Sequence, residues 1–134
     1  MDGSDGYNSG QRVENQWGQK GGLLFNKTDP SGYQAALPGI RLKTLVHGEK
    51  TLMAEFLLDA GSVLPRHAHP HEQTGYLVRG RLRLTIGEQT QEVGPGDSWS
   101  IPGDTEHSAE VLADALAIEV FSPVREDYLP GKEP

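Results

Sequence analysis

From Gly39 to Phe121 the chain alternates apolar and polar residues in short runs, and nowhere do apolar residues recur at the three- and four-residue spacing of a helix. The runs are IRLKTLV, TLMAEFLL, GYLVRG, RLRLTI, QTQEV, DSWSIP, HSAEVL and ALAIEVF. Alternation with period two marks strands with one buried face. Turn residues divide them: His47 to Glu49, Arg79 and Gly80, Gly87 and Glu88, Gly94 to Asp97, and Ala113 and Asp114. Many short strands at regular spacing predict an all-β sandwich or barrel. Residues 1–21 are rich in Gly, Asn, Gln, Ser and Asp and have no apolar period, so they are expected to form a mobile arm that includes Trp17. The rest, 22–134, is expected to be one domain with a non-strand tail from about residue 122. The segment GLLFN beginning at Gly22 is expected as a lone strand, packed on the barrel or exchanged with a neighbouring subunit.

Composition narrows the function. The chain has 134 residues, enough for one core, and no cysteine, so disulfides contribute nothing. The balance of 12 Lys+Arg against 19 Asp+Glu gives a net charge of -7, which argues against nucleic acid or an anionic membrane as the main partner. No window has the apolar length of a membrane span, and no secretory pattern is visible at the N-terminus, so a cytoplasmic address is expected. A small-molecule ligand is the expectation that remains.

The segment GSVLPRHAHPHEQTGYLVRG supplies the chemistry. His67, His69, His71 and Gln73 alternate along it, and residues two apart on a strand point to one side. Imidazole is the commonest protein ligand of divalent transition metals. A single strand histidine is more often an ordinary hydrogen-bonded residue than a ligand; several sharing parity reverse that judgement. Downstream, GPGDSWSIPGDTEHS delivers His107 at the start of another apolar run, with parity shared by Ala109 and Val111. His71 has the same parity, but Pro70 disturbs the pleat beside it, and Glu72 has the opposite parity and is expected in solvent unless the strand bulges. His47 reads as a loop residue, Arg81 and Arg83 as a solvated face, Trp99 as packing in or beside the barrel, and Tyr76 as having no catalytic part.

These two segments resemble the paired motifs of the cupin superfamily. Gly61, His67, His69, Gln73 and Gly80 fall on the positions of the first motif, with Gln73 in place of the usual acid. Gly96, Pro102 and His107 fall on the second, with Asp104 and Val111 where Gly and Asn are usual. The resemblance implies a double-stranded β-helix, or jelly roll, that holds one divalent transition metal through His67, His69, Gln73 and His107, with His71 at the rim. Zn, Ni, Fe, Mn and Co all suit nitrogen and oxygen donors. Four neutral ligands would leave the ion's charge uncompensated, which strengthens a Lewis acid and favours an anionic substrate. Cupins often dimerise, and a jelly roll has strand edges to cover, so a homodimer is expected.

In ALAIEVFSPVRED, Ala115, Ala117, Glu119 and Phe121 share one face of the last strand. Taken alone, Glu119 and Arg125 are as readily ordinary surface charges. Together with HPHEQ, however, the pattern of Glu119, Phe121 and Arg125 resembles pectin-degradation cupins of the KdgF type, which convert cyclic 4,5-unsaturated uronates into linear keto sugars. Their acid at this place is aspartate, so Glu119 is one methylene longer. The resemblance implies Glu119 as proton carrier, Arg125 as clamp for the uronate carboxylate, and Phe121 as an apolar wall. Two other classes stay open: a different metal-dependent enzyme, such as a dioxygenase, isomerase or lyase, and a noncatalytic cupin that senses a sugar or another small ligand.

Overall fold

The computed structural model describes residues 12–14 and 20–129. Strand β1 (Arg12–Glu14) pairs with β2 (Lys20–Leu23) in a small sheet of its own. The other strands are β3 (Gln34–Leu37), β4 (Ile40–His47), β5 (Leu52–Leu58), β6 (Val63–His67), β7 (Glu72–Ile86), β8 (Gln89–Val93), β9 (Ser98–Ile101) and β10 (His107–Ser122). They form one sheet in the order β3-β4-β5-β10-β7-β8, with β6 added to β10 and β9 to β7. Every pairing is antiparallel. This is the expected all-β jelly roll.

The two long strands hold it together. The first part of β10, from His107, pairs with β6 and with the far end of β7; its second part, Ala115 to Phe121, runs between β5 and the near end of β7. The interior alternates as expected, with Ala109, Val111, Ala115, Ala117, Glu119 and Phe121 buried on β10. Leu77, Leu82, Val93, Val111, Ala115 and Ala117 form one apolar cluster, with Trp99 packed against it. Leu52, Ala54 and Phe121 form a second, closed by Val124, Tyr128 and Leu129 from the tail.

Two expected turns are absent. Arg79 and Gly80 lie inside β7, where Gly75 and Leu77 face inward before the glycine and Leu82 and Leu84 after it, so the inward parity changes from odd to even. Gly80 makes this possible with φ +99, a conformation that side chains disfavour. Ala113 and Asp114 likewise lie inside β10, in an irregular stretch where the Asp114 carboxylate accepts the Ala60 N–H at 2.8 Å. Extra residues bend a long strand while its pairing continues, and in sequence such a bend looks like a turn.

Other expectations also change. His67, His69 and Gln73 do not share a strand: β6 ends at His67, His69 lies in the connection, and Gln73 is on β7. His47 ends β4 instead of lying in a loop. GLLFN is not a lone strand, because β2 ends at Leu23 and pairs with β1; the segment lies against β4, where the Asn26 amide donates to the Leu45 carbonyl at 2.8 Å, while Leu24 and Phe25 are exposed. The short strand β3 was not anticipated. The arm expected at 1–21 lies mostly outside the described residues, although Arg12–Glu14 and the start of β2 are strand. After β10 the tail makes one 3-10 turn, Glu126–Tyr128.

A Cβ on Gly80 would lie 2.4 Å from the Asp114 carbonyl oxygen and 2.5 Å from the Ala115 Cα. Gly80→Ala is therefore expected to destabilise the fold by about 2–4 kcal/mol, combining the left-handed penalty with overpacking. Urea unfolding measures this, and a loss below about 0.5 kcal/mol, the scale of an ordinary surface change, would contradict the bend described here.

Candidate metal centre and its cavity

Three histidines reach one point from different parts of the chain. His67 ends β6, His107 begins β10, and the two are register partners across that ladder. His69 arrives from the connection after β6, which is held in place by the loop before His107. The Asp104 N–H donates to the His69 carbonyl at 2.7 Å, and Gly103 lies so close that a Cβ there would sit 2.5 Å from the Pro70 carbonyl oxygen. Asp104 adopts φ 61 at the place where glycine was expected, a conformation that aspartate tolerates better than most residues.

The hydrogen bonds of the three rings have one pattern. Each Nδ1 lies against a backbone carbonyl two residues away: His67 on Pro65 at 2.8 Å, His69 on His71 at 3.0 Å, and His107 on Thr105 at 2.8 Å. A hydrogen on Nδ1 satisfies each carbonyl and leaves the Nε2 lone pair free, as in histidines that ligate metals. The ligand atoms of the three rings lie within 4.8 Å of one another, and His107 Nε2 is buried with no hydrogen-bond partner. Burial lowers the pKa of His69, with the Arg125 charge adding to the effect, and it lowers that of His107 to about 4. Both rings are thus neutral near pH 7, the form that binds metal.

Gln73 completes the group. Its Nε2 donates to Glu119 Oε1 at 2.9 Å, which turns its Oε1 toward His69 Nε2 at 3.0 Å. With the His69 hydrogen on Nδ1, two lone pairs face each other across that distance. Either the ring moves its hydrogen to Nε2 and gives up His71, or a cation satisfies both atoms. An orphaned buried nitrogen, three aligned imidazoles and an amide oxygen all fit a divalent transition metal.

Glu119 is 8% exposed, which removes the alternative that it points to solvent. Burial raises its pKa to about 7, against the opposing effect of the donors Gln73 and Trp99. Trp99 Nε1 donates to the same oxygen, Oε1, at 3.3 Å. Phe121 is fully buried, its ring edge-on to His69 with centroids 5.9 Å apart. The Arg125 guanidinium stacks 4.2 Å from the centre of the Tyr128 ring and 5.2 Å from that of Phe121, and its Nε donates to the Asp127 carboxylate at 3.0 Å. His67, Gln73, His107, Glu119, Phe121 and Arg125 line one cavity with Trp99 and Tyr128. His71 stands beside His69, ring centroids 5.7 Å apart, outside the three-histidine group, and Glu72 is exposed.

The cupin domain family profile matches residues 54–122, the span that carries all four histidine and glutamine positions of this centre. The chain belongs to the cupin family. Among solved structures, KdgF from Halomonas sp. is 33% identical, with a TM-score of 0.75 over 78% of this chain and 97% of that one. An RmlC-like cupin from Shewanella frigidimarina is 24% identical, with a TM-score of 0.76 over 89% of this chain and 99% of that one. It supports the cupin fold alone. An uncharacterised protein of Streptomyces coelicolor is 29% identical over 69 residues, a match spanning 51% of this chain and 66% of that relative.

The structure gathers His67, His69, Gln73, His107, Glu119, Phe121 and Arg125 around this site, and four residues in contact with them carry parts that the sequence did not indicate. Trp99 was expected to pack, not to donate to Glu119. Gly75 shares the inward parity of Gln73, the one signal that could have marked it. Tyr128 and Asp127 lie in a tail without periodicity, and only their nearness to Arg125 in sequence pointed to them.

Loaded with zinc and desalted, the protein is expected to retain about one ion per chain, the usual stoichiometry of such a site. His67→Ala combined with His69→Ala should remove most of it. Elemental analysis decides this, and unchanged metal content in the double variant would show that the histidine cluster is not the site.

Proposed function

We propose that this cupin is a metal-dependent enzyme that opens the ring of a 4,5-unsaturated uronate, with His67, His69, Gln73 and His107 as metal ligands. The observation that carries the reading is the hydrogen bond between Gln73 and Glu119, which joins a buried carboxyl group to the candidate metal centre in a cavity that also contains Arg125. The similarity to KdgF over nearly the whole of that protein supports it, as does the tail pattern of Glu119, Phe121 and Arg125 shared with that type of cupin.

The reaction needs little more than these groups. Opening the hemiacetal breaks the bond from C1 to the ring oxygen as the C1 hydroxyl gives up its proton. The enolate left at C5 becomes a ketone by taking a proton at C4. Atoms are conserved overall, so one carboxyl group can accept the first proton and deliver the second. Glu119 does this, since a carboxyl that ionises near neutrality can hold or release a proton at working pH. An ion held by His67, His69, Gln73 and His107 would supply Lewis acidity at a substrate oxygen. Arg125, oriented by Asp127 and by the two aromatic rings, pairs with the uronate carboxylate through its remaining N–H groups. Phe121 closes the apolar side and excludes water around the acid. The extra methylene of Glu119, relative to aspartate, is taken up by the Gln73 and Trp99 donors that hold the carboxyl group.

Glu119→Gln is expected to lower turnover by roughly 10²-fold or more with metal still bound, the usual weight of a general acid or base. Arg125→Ala should chiefly raise KM, by about tenfold, because the clamp acts on bound substrate as well as on the transition state. A proton NMR time course on the cyclic substrate reads the conversion. Metal-replete protein that leaves the spontaneous rate unchanged across several unsaturated uronates would overturn this reaction and favour a noncatalytic ligand-binding cupin.

Gln73→Glu places a second carboxylate against Glu119 and adds charge at the ion. It is expected to tighten metal binding while lowering turnover, because a neutralised ion is a weaker Lewis acid. Competition with a chromophoric chelator measures the affinity, and an unchanged value would show that residue 73 is not a ligand.

A further inference from the structure

Three strands meet in a row beneath the acid. Trp99 on β9 pairs with Gly75 on β7, and Gly75 pairs with Glu119 on β10. All three residues lie on the inward face, and the middle one has no side chain. The indole and the carboxyl group cross over it and meet. A Cβ on Gly75 would lie 2.2 Å from Trp99 Nε1, 2.3 Å from Trp99 Cε2 and 2.5 Å from Glu119 Oε1, so no other residue leaves room for that contact.

The donors converge on one atom. Trp99 Nε1 and Gln73 Nε2 both donate to Oε1, and Oε2 has no partner among the described residues. An oxygen that already accepts two N–H groups is a poor place for a proton, because its lone pairs are engaged. Oε2 is therefore the oxygen left free of these donors. Rotation of the carboxyl group about its last bond would exchange the oxygens, and the indole and the amide together prevent it.

We propose that Trp99, admitted by Gly75, is a positioning residue that fixes which oxygen of Glu119 exchanges protons with the substrate. This rests on the reading of Glu119 as the proton carrier. Trp99 itself need not touch the reacting atoms: its role is to keep the longer glutamate side chain in one orientation.

The test separates this claim from the reaction it serves. Trp99→Phe keeps most of the apolar volume and removes the N–H. With zinc-loaded protein and unsaturated uronate, kcat is expected to fall by about tenfold, the weight of one hydrogen bond to an ionisable group, while KM and zinc content stay as in the parent. Gly75→Ala should reproduce the loss. The second arm needs no substrate. In the nitrogen-proton NMR spectrum of zinc-loaded protein, the chain's two indole N–H signals are assigned with Trp17→Phe, and Glu119→Gln is expected to move the Trp99 signal and leave that of Trp17 in place. If the Trp99 signal does not respond to Glu119→Gln, the contact and the proposal fall, whether or not the protein opens uronates and whether or not Trp99→Phe folds. A parent enzyme that is active, beside a Trp99→Phe variant with unchanged kcat, would overturn the positioning role and leave the reaction standing. A parent without activity but with the responsive signal would overturn the reaction and support the hydrogen-bonded geometry.

Discussion

The Gln73 to Glu119 hydrogen bond is the contact on which the rest of the site depends. An amide can turn either end toward the histidines, and nothing in its shape decides between them. Glu119 decides by taking the nitrogen, so the oxygen faces the three imidazoles. The same bond ties the buried acid to the candidate metal centre and gives its charge a partner in a place where an unpaired carboxylate would be costly. A glutamine with an acid behind it thus stands where most cupins place an acid directly. An ion held there would keep its charge, and under the proposed reaction the carboxyl group would be free for proton transfer.

The barrel makes this arrangement possible by bending two long strands. β10 carries His107 at one end and Glu119 and Phe121 near the other, and β7 carries Gln73, so a single pair of strands spans the site. The irregular stretches at Gly80 and Asp114 let both strands stay paired while the sheet curls around the cavity. Short connections then bring in the remaining parts: the turn with His69 is pinned by Asp104, and the tail lays Arg125 and Tyr128 over the second apolar cluster.

Much of this was legible in the chain. Period-two alternation gave the strands of the barrel, and the inward parity of β10 placed His107, Glu119 and Phe121 on the correct face because that strand keeps its odd parity across the bulge. The histidines were legible through spacing, although the reason differed: His67 and His69 converge through a connection pinned by a loop, not through a shared strand. What could not be read was anything that depends on register between distant strands. Trp99, Gly75 and Glu119 come together only because β9, β7 and β10 align in one row, and no local pattern encodes that alignment. Gly80 was misread as a turn because a glycine with positive φ serves a bend within a strand equally well.

The central claim is that neutral nitrogen and amide ligands hold one ion beside a buried acid. X-ray absorption fine structure at the metal edge of zinc-loaded protein tests it most directly, because imidazole rings scatter with a recognisable outer-shell pattern. The account requires about three imidazole nitrogens with oxygen completing the shell, and a spectrum that Glu119→Gln leaves essentially unchanged, since Glu119 lies behind Gln73 and not on the ion. A spectrum without the imidazole pattern, or one in which Glu119→Gln removes an oxygen ligand, would contradict it.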